Sequence, residues 1–353
     1  MRKELIKILT ASMILLLCIS LAGCGQSPAS SQGAASGATE AANPGGSAAE
    51  PAPAPSLDYP KGSITAICPW TAGGSSDITF RSYLSYLSKE IGTDINVLNV
   101  TGGDGSIGIN QALGMPADGY TMAMLNYDIL SNEIKGITED SYKDFAIINL
   151  FTLQGVNLVV NADSGWETFE DFRQAALAAK AAGKTLQIGV NGFWLHAAGM
   201  MADAAGIKDC VVFVPSNGSS ELMTELLGKH CDAVTTSLTV ALPHLESGAM
   251  KILGTMAEER MPEFPDIPTF KEMGYPNVII AGFRILAVHK DTPPEIVDFL
   301  RQAGKKAFDN PEFQKWAGDA KADPVYMDAE ETVKYLENLA PVVKQTMVNL
   351  GLI

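Results

Sequence analysis

From residue 58 onward, short apolar runs alternate with stretches whose apolar positions recur every three or four residues. The runs predict strands at 63–68, 94–100, 120–126, 146–150, 155–161, 185–190, 210–214, 233–236, 251–256 and 284–289. The period of three to four predicts helices at 77–91, 106–114, 168–182, 195–205, 219–227 and 294–310, with further helix near the C-terminus. Strands alternating with helices predict an α/β protein built on parallel sheets, in which ligands sit beyond the carboxyl ends of the strands.

The connections at those ends share a character. "CPWTAGGSSD" (68–77), "NVTGGDGSIG" (99–108), "VNGFWLHAAG" (190–199) and "VPSNGSSEL" (214–222) each run from a strand through Gly, Ser, Thr or Asn into a helix. Each presents unpaired N–H groups and the positive end of a helix dipole, which suits an anion without help from lysine or arginine. Any one of them is equally a tight turn with a good cap; the set of four points to a carboxylate receptor. The second loop also spells G-x-G-x-x-G with Gly103, Gly105 and Gly108, and Asp128 follows twenty residues later. On its own that is a dinucleotide fingerprint.

The N-terminus changes this picture. Arg2, Lys3 and Lys7 precede an apolar run over 8–22, closed by Leu21-Ala22-Gly23-Cys24. This order reads as a leader, residues 1–23, with Cys24 diacylated as the new first residue. In residues 25–57, 26 of 33 are Ala, Ser, Gly or Pro and none is Lys or Arg, so 24–57 reads as the lipidated Cys followed by a flexible linker. The 296-residue body from Asp58 is thus expected to be anchored at the outer face of the cell membrane, where free NAD is not maintained. The glycines then serve close backbone approach and helix packing, and no cofactor is expected. A formal charge of −15 argues against nucleic acid as a partner. Cys68, Cys210 and Cys231 remain in the body, and Cys210 and Cys231 are expected to be two buried thiols rather than a disulfide.

"ITAICPWTAGGSSDITFR", followed by "INVLNVTGGDGSIGINQALGMPADGYTMAMLN", resembles the opening of the extracytoplasmic solute receptors of tripartite tricarboxylate transporters, the Bug family. The likeness continues through "VPSNGSSELMTELLGKHCDAV", "LPHLESGAMKILG", "FPDIPTFKEMGYP" and "DTPPEIVDFL", and so covers nearly the whole body. It implies the type II periplasmic-binding-protein fold, two α/β lobes with a ligand cleft between them. Residues 58–161 and 284–353 would form lobe 1 and residues 162–283 lobe 2, with crossings near Asn161 and Phe283.

The candidate ligand-binding residues are Trp70, Thr71, Ala72, Gly74, Ser75 and Asp77 in the first loop, Gly103 and Gly105 in the second, and Asn126 at a strand end. In lobe 2 they are Asn191, Gly192, Phe193, Trp194, His196, Ser216, Asn217, Gly218 and Ser237, with Arg284 at the second crossing. Trp70 either lines the cleft or packs on lobe 1. Asp77 either contacts ligand or caps its helix, and the resemblance favours the site. Arg81 is read as an interlobe or structural ion pair rather than a ligand clamp, His196 as a structural residue that could touch ligand, and Arg284 as a bidentate carboxylate contact. Two departures from the family pattern stand out. Asp104 occupies a place for a small residue, where it would cap the next helix or face solvent. Phe193 and Trp194 replace small hydroxyl residues, favouring a ligand with an apolar or planar part.

Together these features predict a monomeric, lipid-anchored solute-binding protein that takes a small carboxylate-bearing compound to integral-membrane transporter subunits. A ligand-presenting sensor fits the same features. A lipid-anchored hydrolase shares the leader, but the chain has no G-x-S-x-G or H-E-x-x-H, and its four histidines form no evident cluster.

Overall fold

The computed structural model describes residues 57–353; the leader, Cys24 and the linker reading up to residue 56 lie outside the described residues. The first sheet contains β1 (Ile64–Cys68), β2 (Ile95–Asn99), β3 (Thr121–Asn126), β4 (Phe145–Gly155), β10 (Ala281–His289) and β11 (Pro324–Met327), in the order β11-β4-β10-β3-β1-β2. The second contains β5 (Asn157–Asn161), β6 (Leu186–Val190), β7 (Val211–Pro215), β8 (Ala233–Thr236) and β9 (Met250–Thr255), in the order β7-β6-β8-β5-β9. This is the type II periplasmic-binding-protein fold, with one sheet in each lobe.

The expected parallel sheets are mixed. β2-β1-β3 and β7-β6-β8 are parallel, as β-α-β connections require, but β10 runs antiparallel to both β3 and β4, and β5 runs antiparallel to both β8 and β9. These antiparallel strands are the ones that carry the chain between lobes. β4 and β5 are separated only by Val156, so the first passage falls there, ahead of the Asn161 expectation; the return lies between Thr255 and Ala281.

Ten α-helices lie among the described residues: α1 (Ser75–Ile91), α2 (Ser106–Leu113), α3 (Asp128–Lys135), α4 (Phe169–Ala181), α5 (Gly192–Ala204), α6 (Ser219–Leu227), α7 (Leu238–Glu246), α8 (Pro294–Asp309), α9 (Pro311–Asp319) and α10 (Ala329–Leu350). None is long and apolar enough to cross a membrane. In α1, Phe80, Tyr83, Leu84, Leu87 and Ile91 form the buried stripe, and Gly92 ends the helix in the left-handed conformation that glycine adopts without strain. Capping boxes start α4 (Thr168 with Asp171) and α10 (Asp328 with Glu331). α3, which follows β3 after only Tyr127, and α7, which contains Pro243, are helices that the periodicity does not predict.

One buried cluster continues from Leu125 and Leu150 of the first sheet through Val156 into Ile188 and Val234 of the second. The apolar core therefore runs through the connection between the lobes. α10 adds a second tie, since Lys208 donates to Leu350 O at 2.9 Å and Gly199 of α5 leaves the space that Leu350 fills. Cys68, Cys210 and Cys231 are buried free thiols.

Candidate functional site

The two lobes face each other across a cleft of about 460 Å³, part of it open to solvent. Four helices begin at its wall. Gly74, Ser75 and Ser76 open α1; Asn126, Tyr127 and Asp128 open α3; Asn191, Phe193 and Trp194 open α5; Gly218 and Ser219 open α6. The unbonded N–H groups of a first helical turn and the helix dipole make each of these ends favourable to negative charge. Three of the four loops read from the sequence are therefore at the cleft. The glycine-rich second loop is not on its wall, and the start of α3 takes that place.

That second loop does the packing work expected of its glycines. A Cβ on Gly108 would meet Val100 O at 2.7 Å and the Pro69 backbone at 3.1 Å, so only glycine lets α2 lie this close to β1. Gly105 holds a φ of +86° against Pro69 and the Trp70 ring, and Gly103, two residues earlier, a φ of +57°.

Arg284 enters from β10, in register with Asn126 on one side and Thr152 on the other. It is 4 % exposed. Its Nη2 donates to Ser75 Oγ at 2.7 Å and its Nη1 to Thr152 Oγ1 at 3.4 Å, while Nε has no partner among the described residues. Burial pushes its pKa down to about 10, against the opposing influence of Cys68 and Asp323, so it is a cation at neutral pH. Ser75 is the hub around it. Its hydroxyl donates to Gln154 Oε1 at 2.8 Å and lies 2.8 Å from Ser237 Oγ, and Gln154 reaches Thr239. Ser237 and Thr239 flank the start of α7, so this network joins both lobes beneath the cleft. Gln154 is not among the site residues the sequence predicts, because it lies in the part of β4 between the strands predicted at 146–150 and 155–161.

Asp128 is the buried acid of the same cleft. It is 1 % exposed, its Oδ2 accepts from Asn126 Nδ2 at 2.8 Å, and its Oδ1 has no hydrogen-bond partner among the described residues. Burial and then the nearby Asp104 raise its pKa to about 7, while Lys135, Asn126 and Ser131 pull it down. In the sequence Asp128 stands out only as the acid of a nucleotide fingerprint. Asp104 does not cap α2, whose N-cap is Gly105 with no side-chain bond; its half-exposed carboxylate pairs with Lys135 Nζ at 3.6 Å.

Aromatic rings complete the wall: Trp70, Tyr127, Phe193, Trp194 and Phe283. Phe193 lies 4.8 Å from Tyr127 and 5.0 Å from Trp194, and Trp194 Nε1 donates to Ser219 Oγ at 3.2 Å. Both belong to the first turn of α5, which starts at Gly192 rather than at the expected Leu195. Gly282 leaves the space that Phe193 occupies.

The remaining candidates stand off the wall. Thr71 and Ala72 meet Ser220 across the mouth at 3.3 and 3.4 Å, and a Cβ on Gly218 would lie 1.9 Å from Thr71 Oγ1. Ser216 and Asn217 are engaged by Glu221 Oε2 at 3.2 and 3.1 Å. His196 is fully buried beside Tyr127, and burial together with Lys135 lowers its pKa to about 4. Gly192 borders the Asp128 carboxylate.

Asp77 is engaged within lobe 1. Its carboxylate accepts from Gly73 N at 2.9 Å, and from Arg81 Nε and Asn99 Nδ2 at 2.8 Å each. Asp77→Ala is therefore expected to destabilise the unliganded protein by about 1–3 kcal/mol, the cost of leaving such donors unmade, and to change ligand affinity by less than about threefold. Thermal melts without ligand, paired with calorimetric titration, check both halves.

Residues 79–352 match the model of a family described as the tripartite tricarboxylate transporter family receptor. A relative from Cupriavidus necator, "UPF0065 protein in gbd 5'region", is 32% identical over 313 residues, covering 87% of this chain and 93% of its own. Among solved structures, Rpa4515 of R. palustris with adipate superposes with a TM-score of 0.76 at 21% identity, covering 83% of this chain and 99% of its own. MatC from Rhodopseudomonas palustris with bound malate superposes at 0.70, also at 21% identity, covering 83% and 98%.

Proposed function

The chain belongs to the tripartite tricarboxylate transporter receptor family, and from that premise we propose a lipid-anchored, extracytoplasmic protein that captures a small carboxylate-bearing compound and passes it to integral-membrane transporter subunits. Cys24 would be the anchor, the protein would act as a monomer, and no bond in the ligand would be made or broken.

One observation carries the carboxylate. Arg284 is a buried cation at the base of the cleft, with Nε unpaired and only hydroxyl partners for its other donors. A guanidinium so placed matches a planar anion, and four helix N-termini around it add to the same potential. The adipate and malate in the two similar structures support the same ligand class. Binding would proceed by closure of lobe 2 on lobe 1, with Thr71, Ala72 and Ser220 meeting at the mouth.

A calorimetric and thermal-shift panel of dicarboxylates, tricarboxylates, aromatic acids and amino acids tests this. At least one should bind saturably and raise the melting temperature, since a ligand of the folded state alone stabilises it by mass action. NAD and NADP should not bind. Micromolar binding of a dinucleotide, with no carboxylate bound, would overturn the proposal.

A further inference from the structure

We propose that the ligand is a small amino carboxylate, its carboxylate held by Arg284 and its protonated nitrogen by the free oxygen of Asp128; this rests on the carboxylate-receptor reading above. The cleft holds a buried cation and, apart from it, a buried carboxyl group that is negative once ionised. Arg284 comes from β10 and Asp128 from the start of α3, and both line the same space. A dicarboxylate satisfies Arg284 but sets an anion against Asp128.

The surroundings of Asp128 favour a donor with positive charge. Behind it lies a side cavity that it shares with Asp104, Asn126 and Asn132. Asn132 donates its Nδ2 to Asp104 O at 2.9 Å and leaves Oδ1 buried without a partner among the described residues, as Asp128 leaves its own Oδ1. Both unpaired atoms are acceptors, and a buried acceptor without a donor is costly. An ammonium group supplies several donors and the compensating charge. The rings of Trp70 and Tyr127 line the same wall, and aromatic rings attract a cation over their faces.

The ionisable groups around Asp128 are Asp104 on the turn after β2, Lys135 on its own helix, and Tyr127 just before it; Arg284 stands on β10 and His196 on α5. Asp104 and Lys135 partly cancel, being 3.6 Å apart. Binding an ammonium requires Asp128 ionised. With its pKa near 7 in the empty cleft, amino-acid affinity should rise between pH 5.5 and 8, where the ligand's own ammonium stays protonated.

The test is calorimetry on the purified protein with matched trios: alanine, lactate and propionate; aspartate, malate and succinate; phenylalanine, phenyllactate and phenylpropionate. The amino member of the preferred trio should bind about thirtyfold or more tightly than its partners, the scale for breaking a buried charged pair. Asp128→Asn should remove that preference while leaving the des-amino acid bound as well as before or better. A hydroxy or des-amino member that binds as well as the amino acid, or an affinity that falls as pH rises, overturns the inference and leaves the carboxylate reading standing. Failure of every acid overturns both. The comparison among trios uses the unaltered protein, so it decides the matter even if the variant does not fold.

Discussion

Arg284→Met should abolish capture of the carboxylate ligand while the protein still folds. The side chain is buried at the base of the cleft, its partners Ser75 and Thr152 are neutral hydroxyls, and its Nε is free. Removing one member of a buried, hydrogen-bonded ion pair costs about 2–5 kcal/mol, which is roughly thirtyfold to several thousandfold in Kd. The unliganded protein should lose little, because an apolar side chain of similar volume spares the desolvation of a buried cation. Arg284→Lys should recover part of the affinity, keeping the charge without the planar fork. Titration of the best-binding acid against the three proteins, with melts in its absence, measures both quantities. Wild-type affinity in the methionine variant would place the carboxylate elsewhere.

Gly192→Ala should weaken every ligand by about tenfold or more, whatever its chemistry. Gly192 starts α5 in lobe 2 with a φ of +35°, and a Cβ there would lie 2.7 and 2.8 Å from the two Asp128 oxygens and 2.8 Å from the Trp70 ring. Those neighbours belong to lobe 1, so the added methyl acts as a wedge between lobes. The conformational strain of a non-glycine residue at positive φ adds about 1 kcal/mol or more. Gly165→Ala separates the two effects: its φ is +80° but nothing lies within 4 Å of the added carbon. That variant should lose some stability and keep its affinity. Small-angle scattering supplies the second readout, since ligand should contract the wild type and Gly165→Ala but not Gly192→Ala. Equal contraction in all three would mean that the lobes close without bringing Gly192 onto Asp128.

The chain's periodicities located ten of the eleven strands among the described residues and the longer helices, because the face a residue turns to the core depends only on neighbours a few positions away. The small, hydroxyl-bearing loops at 68–77, 190–199 and 214–222 were legible for the same reason, being local signals for a helix start. Among the side chains they and the last strands contribute, Trp70, Ser75, Asn191, Phe193, Trp194 and Arg284 do line the cleft. Strand direction was not legible: a two-residue repeat reads the same in β5 and β10 whether the neighbour runs parallel or antiparallel. Nor was the meeting of Ser75 with Gln154, 79 residues on, and with Arg284, 209 residues on. Asp128 shows most clearly what tertiary structure adds. In the sequence it is one acid twenty residues past a glycine loop. Packing of Trp70 and Gly192 from two lobes removes it from water, and that burial turns an ordinary carboxylate into a group with its pKa raised to about 7 and one oxygen unpaired among the described residues, on the wall of the cleft.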